Sequence, residues 1–270
     1  MRQGPAGVAE REWRRFTPQE RIARAAVYVV AAAVLVWAVD TIEIIPEFLW
    51  DAPEQVADLF RRMWPIDVAH YPRAIHDTLI ETLHIATLGT VLTFTAALPL
   101  ALLAARNITP WAPLNWLAQL LLVSSRSVNS LVWGLLFVAV FGPGALAGTL
   151  AIACRSVGFV GKLFAEAIEE ADPGPIEALT AAGAPWASLL SKGYWPQVQP
   201  AFWSIALFRW DINVRESAVL GLVGAGGIGV ALDDALNFLQ WDRVAMVLLT
   251  ILAVVVLAEV LVTALRQRII

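Results

Sequence analysis

Residues 25–45 read AAVYVVAAAVLVWAVDTIEII, an apolar run with no charge before Asp40 and Glu43. A helix that crosses a bilayer needs about 20 mainly apolar residues, so this run places the chain in a membrane. Five more runs follow, at about residues 83–105, 112–141, 145–165, 199–223 and 244–265. The third is interrupted by Ser124-Ser125-Arg126-Ser127, and the fifth carries Arg209, Asp211, Arg215 and Glu216. Gly142-Pro143-Gly144 separates the third and fourth as a turn. The expected fold is an all-α integral membrane protein with six transmembrane helices. Composition agrees: 59% hydrophobic and 16% charged residues over 270 positions, against about 45–50% and about 25% in soluble domains. That excludes a water-soluble globular enzyme and a disordered chain. The single cysteine, Cys154, allows no internal disulfide and reads as a small buried hydrophobe.

The arginines set the orientation. Arg2, Arg11, Arg14, Arg15, Arg21 and Arg24 precede the first span, whereas residues 46–81 hold Arg61, Arg62 and Arg73 against seven carboxylates. By the positive-inside rule residues 1–24 form a basic cytoplasmic tail and residues 46–81 lie outside. Leu49, Val56, Leu59, Phe60 and Met63 recur at near-helical spacing there, as in an amphipathic helix on a bilayer surface. Residues 82–268 then form a core of five spans, with Arg106, residues 166–196, Arg266 and Arg268 inside and both termini cytoplasmic. Trp50, Trp64 and Trp241 fall at the outer boundary and Trp111, Trp116 and Trp195 at the inner one. A secretory leader fits less well, because the tail carries Glu10, Glu12 and Glu20 and no small-residue cleavage site follows the apolar run.

Residues 172–196 form a patterned cytoplasmic loop. Asp172 before Pro173 is a helix start, Glu177 sits in the first turns, and Gly183 can end the helix in the left-handed conformation. Pro185 opens a second short helix, expected to run to about Lys192 with Gly193 as its cap. Such a pair could seat in a partner's groove, or be a solvated loop. Ionisable groups at membrane depth usually face a bundle interior or an aqueous path. Arg126, Arg155, Arg209 and Arg215 would suit an anionic cargo. Arg215 can instead pair with Asp211 at i,i+4, and Glu259 is expected to be hydrogen-bonded inside the bundle. His70, His76 and His84 are too scattered for a metal site. Gly224-Ala225-Gly226-Gly227-Ile228-Gly229 matches G-x-G-x-x-G but follows a span rather than a strand, so it reads as a glycine-rich break in a helix. No G-x-x-x-x-G-K-[ST] occurs, so no P-loop is available for ATP.

Glu177-Ala178, Gly183 six residues after that glutamate and Pro196 thirteen after that glycine resemble the EAA signature of ABC-importer permeases. Further stretches resemble the phosphonate-uptake branch of that family: Glu81-Thr82-Leu83, Leu98-Pro99-Leu100, Leu131-Val132-Trp133, Gly161-Lys162-Leu163-Phe164 and, above all, Asn213-Val214-Arg215 followed by residues 219–229. The chain departs at Gly193 and Trp195, where the family usually has Ile and Leu, and at Glu216-Ser217-Ala218. The resemblance implies a type I importer permease in a bacterial inner membrane, carrying phosphonate, phosphite or a related small phosphorus oxyanion. It implies a homodimer in membrane lipid, served by an external binding protein and a cytoplasmic ATPase dimer that holds ATP and Mg. No cofactor, metal or nucleic acid is expected on this chain. Glu177, Ala178, Leu179, Gly183 and Pro196 would couple to the ATPase. Arg126, Arg155, Arg209, Arg215, Glu216 and Ser217 would line the path, and Gly224, Gly226, Gly227 and Gly229 would gate it. The alternatives are a permease for another small anionic or polar solute and an ion-coupled carrier. The carrier would use Glu259 and Asp211 but leave residues 172–196 without a role. An intramembrane enzyme lacks a Ser/His pair or paired aspartates at depth.

Overall fold

A computed structural model describes residues 18–42 and 45–269. Arg2, Arg11, Arg14 and Arg15, with Glu10, Glu12 and Glu43, lie outside the described residues. The described residues are helical with no strand. The chain divides into two compact units, Met1–Asp58 and Leu59–Ile270. The first holds α1 (Pro18–Thr41) and most of α2 (Pro46–Arg62). Of the spaced apolar residues, Leu49, Val56 and Phe60 are exposed, whereas Leu59 and Met63 are half-buried.

The second unit comprises α3 (His76–Ala104), α4 (Ala112–Ser127), α5 (Ser130–Phe141), α6 (Ala145–Glu169), α7 (Pro173–Ala181), α8 (Trp186–Ser188), α9 (Trp195–Leu220), α10 (Ile228–Asn237) and α11 (Trp241–Ile269). Helix α6 is the centre: α3, α4, α5 and α9 all pack on it. Its sequence explains why. Gly158 lets the α4 backbone approach so closely that an added Cβ would sit 2.3 Å from the Leu122 carbonyl oxygen, and one at Gly161 would sit 2.4 Å from a Leu122 methyl. Small residues permit such contacts where lipid supplies no hydrophobic drive between helices. Ser125 ties the same seam: its hydroxyl donates to the Cys154 carbonyl and accepts the Gly158 N–H at 3.0 Å.

The observed spans differ from the expected ones in three places. The second begins at His76, not near Leu83. Thr78 and Thr82 donate their hydroxyls to carbonyls four residues back at 3.1 and 2.8 Å, so polar residues continue the helix outward. The third is two helices bent by 90°, because Val128 and Asn129 are extended and the Asn129 side chain accepts the Leu131 N–H at 3.0 Å as a new N-cap. The fifth breaks by 40° and continues as α10, a helix not expected from the sequence. Four helices are long and apolar enough to cross a membrane, or six if each bent pair is one span.

Candidate functional site

Where α6 meets α9, charged residues are drawn into the packed interior. Arg209 is 5% exposed. Its Nε–H donates to the Ser156 hydroxyl at 2.8 Å, which donates to Asn213 Oδ1 at 3.1 Å. Asn213 Nδ2 donates to the Thr90 hydroxyl at 2.8 Å, and that hydroxyl donates to the Ala86 carbonyl at 2.7 Å. Each donor has an acceptor along this line from α9 through α6 to α3, so one edge of the Arg209 guanidinium is fixed. The other edge faces Glu216, two helical turns further along α9, with Nη2 3.5 Å from Oε1 and no hydrogen bond. Arg155 on α6 donates through Nη1 to that same Oε1. The Phe159 ring lies 5.5 Å from the Arg155 guanidinium and 5.1 Å from that of Arg209, a cation–π arrangement that holds two cations side by side. Arg155 Nε, Arg209 Nη2 and Glu216 Oε2 remain buried without hydrogen-bond partners.

Three of the six path candidates, Arg155, Arg209 and Glu216, are therefore brought together. Arg126 is exposed at the end of α4. Arg215 pairs with Asp211 one turn back, as its spacing allows. Ser217 is fully buried and donates to the Val214 and Thr82 carbonyls. Glu259 is not enclosed by the bundle: it is exposed and lines a cavity of about 540 Å³ with Asp211, Arg215, Thr263 and Arg266. Ser156, Asn213 and Phe159 were not among the path candidates: Ser156 meets Arg209 and Asn213 across more than fifty residues, and only the fold brings Arg209 to the Phe159 ring that Arg155 reaches from four residues away.

The loop of residues 172–196 is built as its punctuation suggests, with one correction. Asp172 caps α7, accepting the Gly174 N–H at 3.0 Å. Gln197 clamps the loop to α9, accepting the Asp172 N–H at 2.8 Å and donating to the Gly193 carbonyl at 2.8 Å. Gly183 has φ +71°. Glu177 and Ala178 are exposed, Leu179 is half-buried, and Pro196 lies exposed in the first turn of α9. Gly193 is not a cap. After α8 the chain passes through π-helical turns, Leu189–Tyr194, directly into α9. Gly193 is buried within them, and an added Cβ would lie 3.4 Å from Ile176 and Leu179 of α7. Gly193 thus sits in ordinary contact distance of α7 at the root of α9.

Of the four candidate gating glycines, Gly224, Gly226 and Gly227 have φ near +80°. The turn is packed hard. The Gly144 N–H donates to the Gly224 carbonyl at 2.9 Å, and the Ile228 N–H to the Thr82 hydroxyl at 2.7 Å. Gly229 has no positive φ, but an added Cβ would meet the Ala218 carbonyl oxygen at 2.3 Å.

Comparison with known proteins gives a consistent result. Residues 97–270 match the family described as binding-protein-dependent transport system inner membrane component. The chain is 43% identical over 213 residues to the phosphite transport system permease protein PtxC of Stutzerimonas stutzeri, covering 79% of this chain and 77% of that one. It is 40% identical over 237 residues to the phosphate-import permease protein PhnE of Mycolicibacterium smegmatis, covering 88% of this chain but 44% of that relative. A chain from inward-facing conformations of the MetNI methionine ABC transporter superposes with a TM-score of 0.63 at 20% identity, over 73% of this chain and 96% of that one. At that identity the likeness shows the fold.

Proposed function

The chain belongs to the family of binding-protein-dependent transport system inner membrane components, and from that premise we propose that it is the permease subunit of an ATP-driven ABC importer for a small phosphorus oxyanion. Two relatives, 43% identical over 213 residues and 40% identical over 237, are named for phosphite transport and phosphate import. The observation that carries the reading is the α6–α9 cluster: Arg155 and Arg209 face one carboxylate, Glu216, inside two candidate membrane spans. A surplus cation is expensive there and is suited to an anionic cargo. This leaves Arg126, Arg215 and Ser217 as less central path residues.

The permease works as a homodimer in a bacterial inner membrane, with both termini cytoplasmic. An external binding protein delivers solute, and a cytoplasmic ATPase dimer holds ATP and Mg. Force enters through the loop at Glu177, Ala178, Leu179, Gly183 and Pro196. The outer glycine turn, Gly224 to Gly229, stiffens the broken fifth span so that movement of α9 reaches α10. Reconstitution tests the reading. Proteoliposomes holding the permease and its ATPase, supplied with binding protein, should take up phosphite only with ATP inside. Uptake driven by an ion gradient without the ATPase would establish the secondary-carrier alternative instead.

A further inference from the structure

We infer that Glu216 is a resident anion, occupying an oxyanion station built from Arg155 and Arg209 that the cargo must take over as it passes. The inference rests on the oxyanion reading above and adds a specific part to it. Its ground is how poorly the carboxylate fills its place. A guanidinium offers five N–H donors and a carboxylate can accept on both oxygens. Here a single oxygen, Oε1, serves both arginines, while Oε2 accepts nothing. Arg155 Nε and Arg209 Nη2 are buried and unpaired. Two cations against one anion leave one positive charge over. The arrangement is short of well-placed acceptors, since Oε2 bonds to neither arginine, and of one negative charge.

A tetrahedral oxyanion corrects both shortages. Its three or four oxygens can accept from both guanidiniums at once, and charge-assisted bonds of this kind are the strong ones. The station is held in advance. Ser156 and the hydrogen-bonded line behind it fix the Nε edge of Arg209, and Phe159 stacks near both guanidiniums. Glu216 is held through one oxygen only: Oε1 meets the arginines while Oε2 has no hydrogen-bond partner, and the side chain shares a helix with Arg209 but reaches across to Arg155 on α6. When it swings away, the α6–α9 ion pair opens and an anion can enter. When the anion leaves, the tethered carboxylate returns at high effective concentration and expels it. Glu216 thereby keeps the site from trapping its cargo and closes it to small anions between cycles.

The test is anion binding to the full-length permease–ATPase complex in detergent, without nucleotide or binding protein. Equilibrium dialysis would use phosphite, phosphate, sulfate and acetate as probes. Glu216→Gln removes the competing charge and keeps the shape, so phosphite and phosphate should bind about tenfold more tightly than to the unsubstituted complex. Adding Arg155→Gln to that variant should abolish the gain. If Glu216→Gln fails to assemble, Glu216→Asp, which shortens the reach to Arg155, should show a smaller gain of the same sign. A gain for sulfate without one for the phosphorus oxyanions keeps the station and overturns only the cargo reading. Unchanged affinity for every probe in an assembled Glu216→Gln or Glu216→Asp complex overturns the inference.

Discussion

At Gly224 and at Gly183 the backbone closes a helix in the same way, yet the surroundings are opposite. At Gly224 the Ala225 N–H reaches the Leu220 carbonyl and the Gly224 N–H that of Gly221, at 3.2 and 2.9 Å. At Gly183 the Ala184 and Gly183 amides make the same two bonds to Leu179 and Thr180, both at 3.0 Å. Each is the left-handed helix ending in which glycine is favoured. Past Gly224 the space is full: added Cβ atoms would lie 2.8 Å from the Ala145 amide at Gly226 and 2.7 Å from the Thr82 hydroxyl at Gly227. A Cβ added at Gly183 would meet nothing within 4 Å. The corner at Gly224 is thus committed to packing within its own chain. The corner at Gly183 has a fixed shape and open space beside it, which suits a contact made by another chain.

Substitutions should separate the two corners, the largest effect first. Gly226→Val meets backbone atoms and a positive φ together, a combined cost of about 2–5 kcal/mol; it should collapse the yield of folded, monodisperse permease on size exclusion. Thr82→Val orphans the buried Ile228 N–H, costing about 1–3 kcal/mol, and should lower the thermal midpoint in detergent while leaving the ATPase attached. Gly183→Val carries backbone strain alone, about 1–2 kcal/mol. The permease should still insert and assemble, with a modest fall in midpoint, but the second arm of the loop is re-aimed and ATPase co-purification should weaken. Glu177→Ala, exposed on α7, should change stability by less than about 0.5 kcal/mol and give a milder coupling defect in ATP-driven uptake. Equal losses of folded protein at Gly183 and Gly226 would erase the distinction between the corners.

How far the sequence reaches follows from the range of the interactions. Helix punctuation is local, so Asp172, Pro173 and Gly183 announced α7 and its ending, and the four-residue spacing announced Arg215 with Asp211. Apolar run length announced the spans but not their bends. The polar patch Ser124-Ser125-Arg126-Ser127 marks an interruption in residues 112–141, but the 90° break beside it depends on Asn129 capping a new helix where a longer one was expected. Helix α10 was hidden for a related reason: Asp233 and Asp234 end the apolar pattern, while Ile228, Ala231 and Ala235 bury a short face against neighbours distant in sequence. The Arg155–Glu216 pair spans 61 residues, and no spacing rule joins α6 to α9. Glu259 was misplaced because burial at membrane depth is a property of the bundle, and depth along a helix does not say which side faces inward.

That solute moves only when a partner ATPase acts on the loop at Gly183 is tested most directly by a paired measurement on Gly183→Val and the unsubstituted permease. ATPase retention on purification and ATP-driven phosphite uptake would be read in the same proteoliposome preparation. The account predicts that Gly183→Val inserts and dimerises normally but loses most retention, or hydrolyses ATP without uptake. Normal retention and normal uptake in Gly183→Val would contradict it.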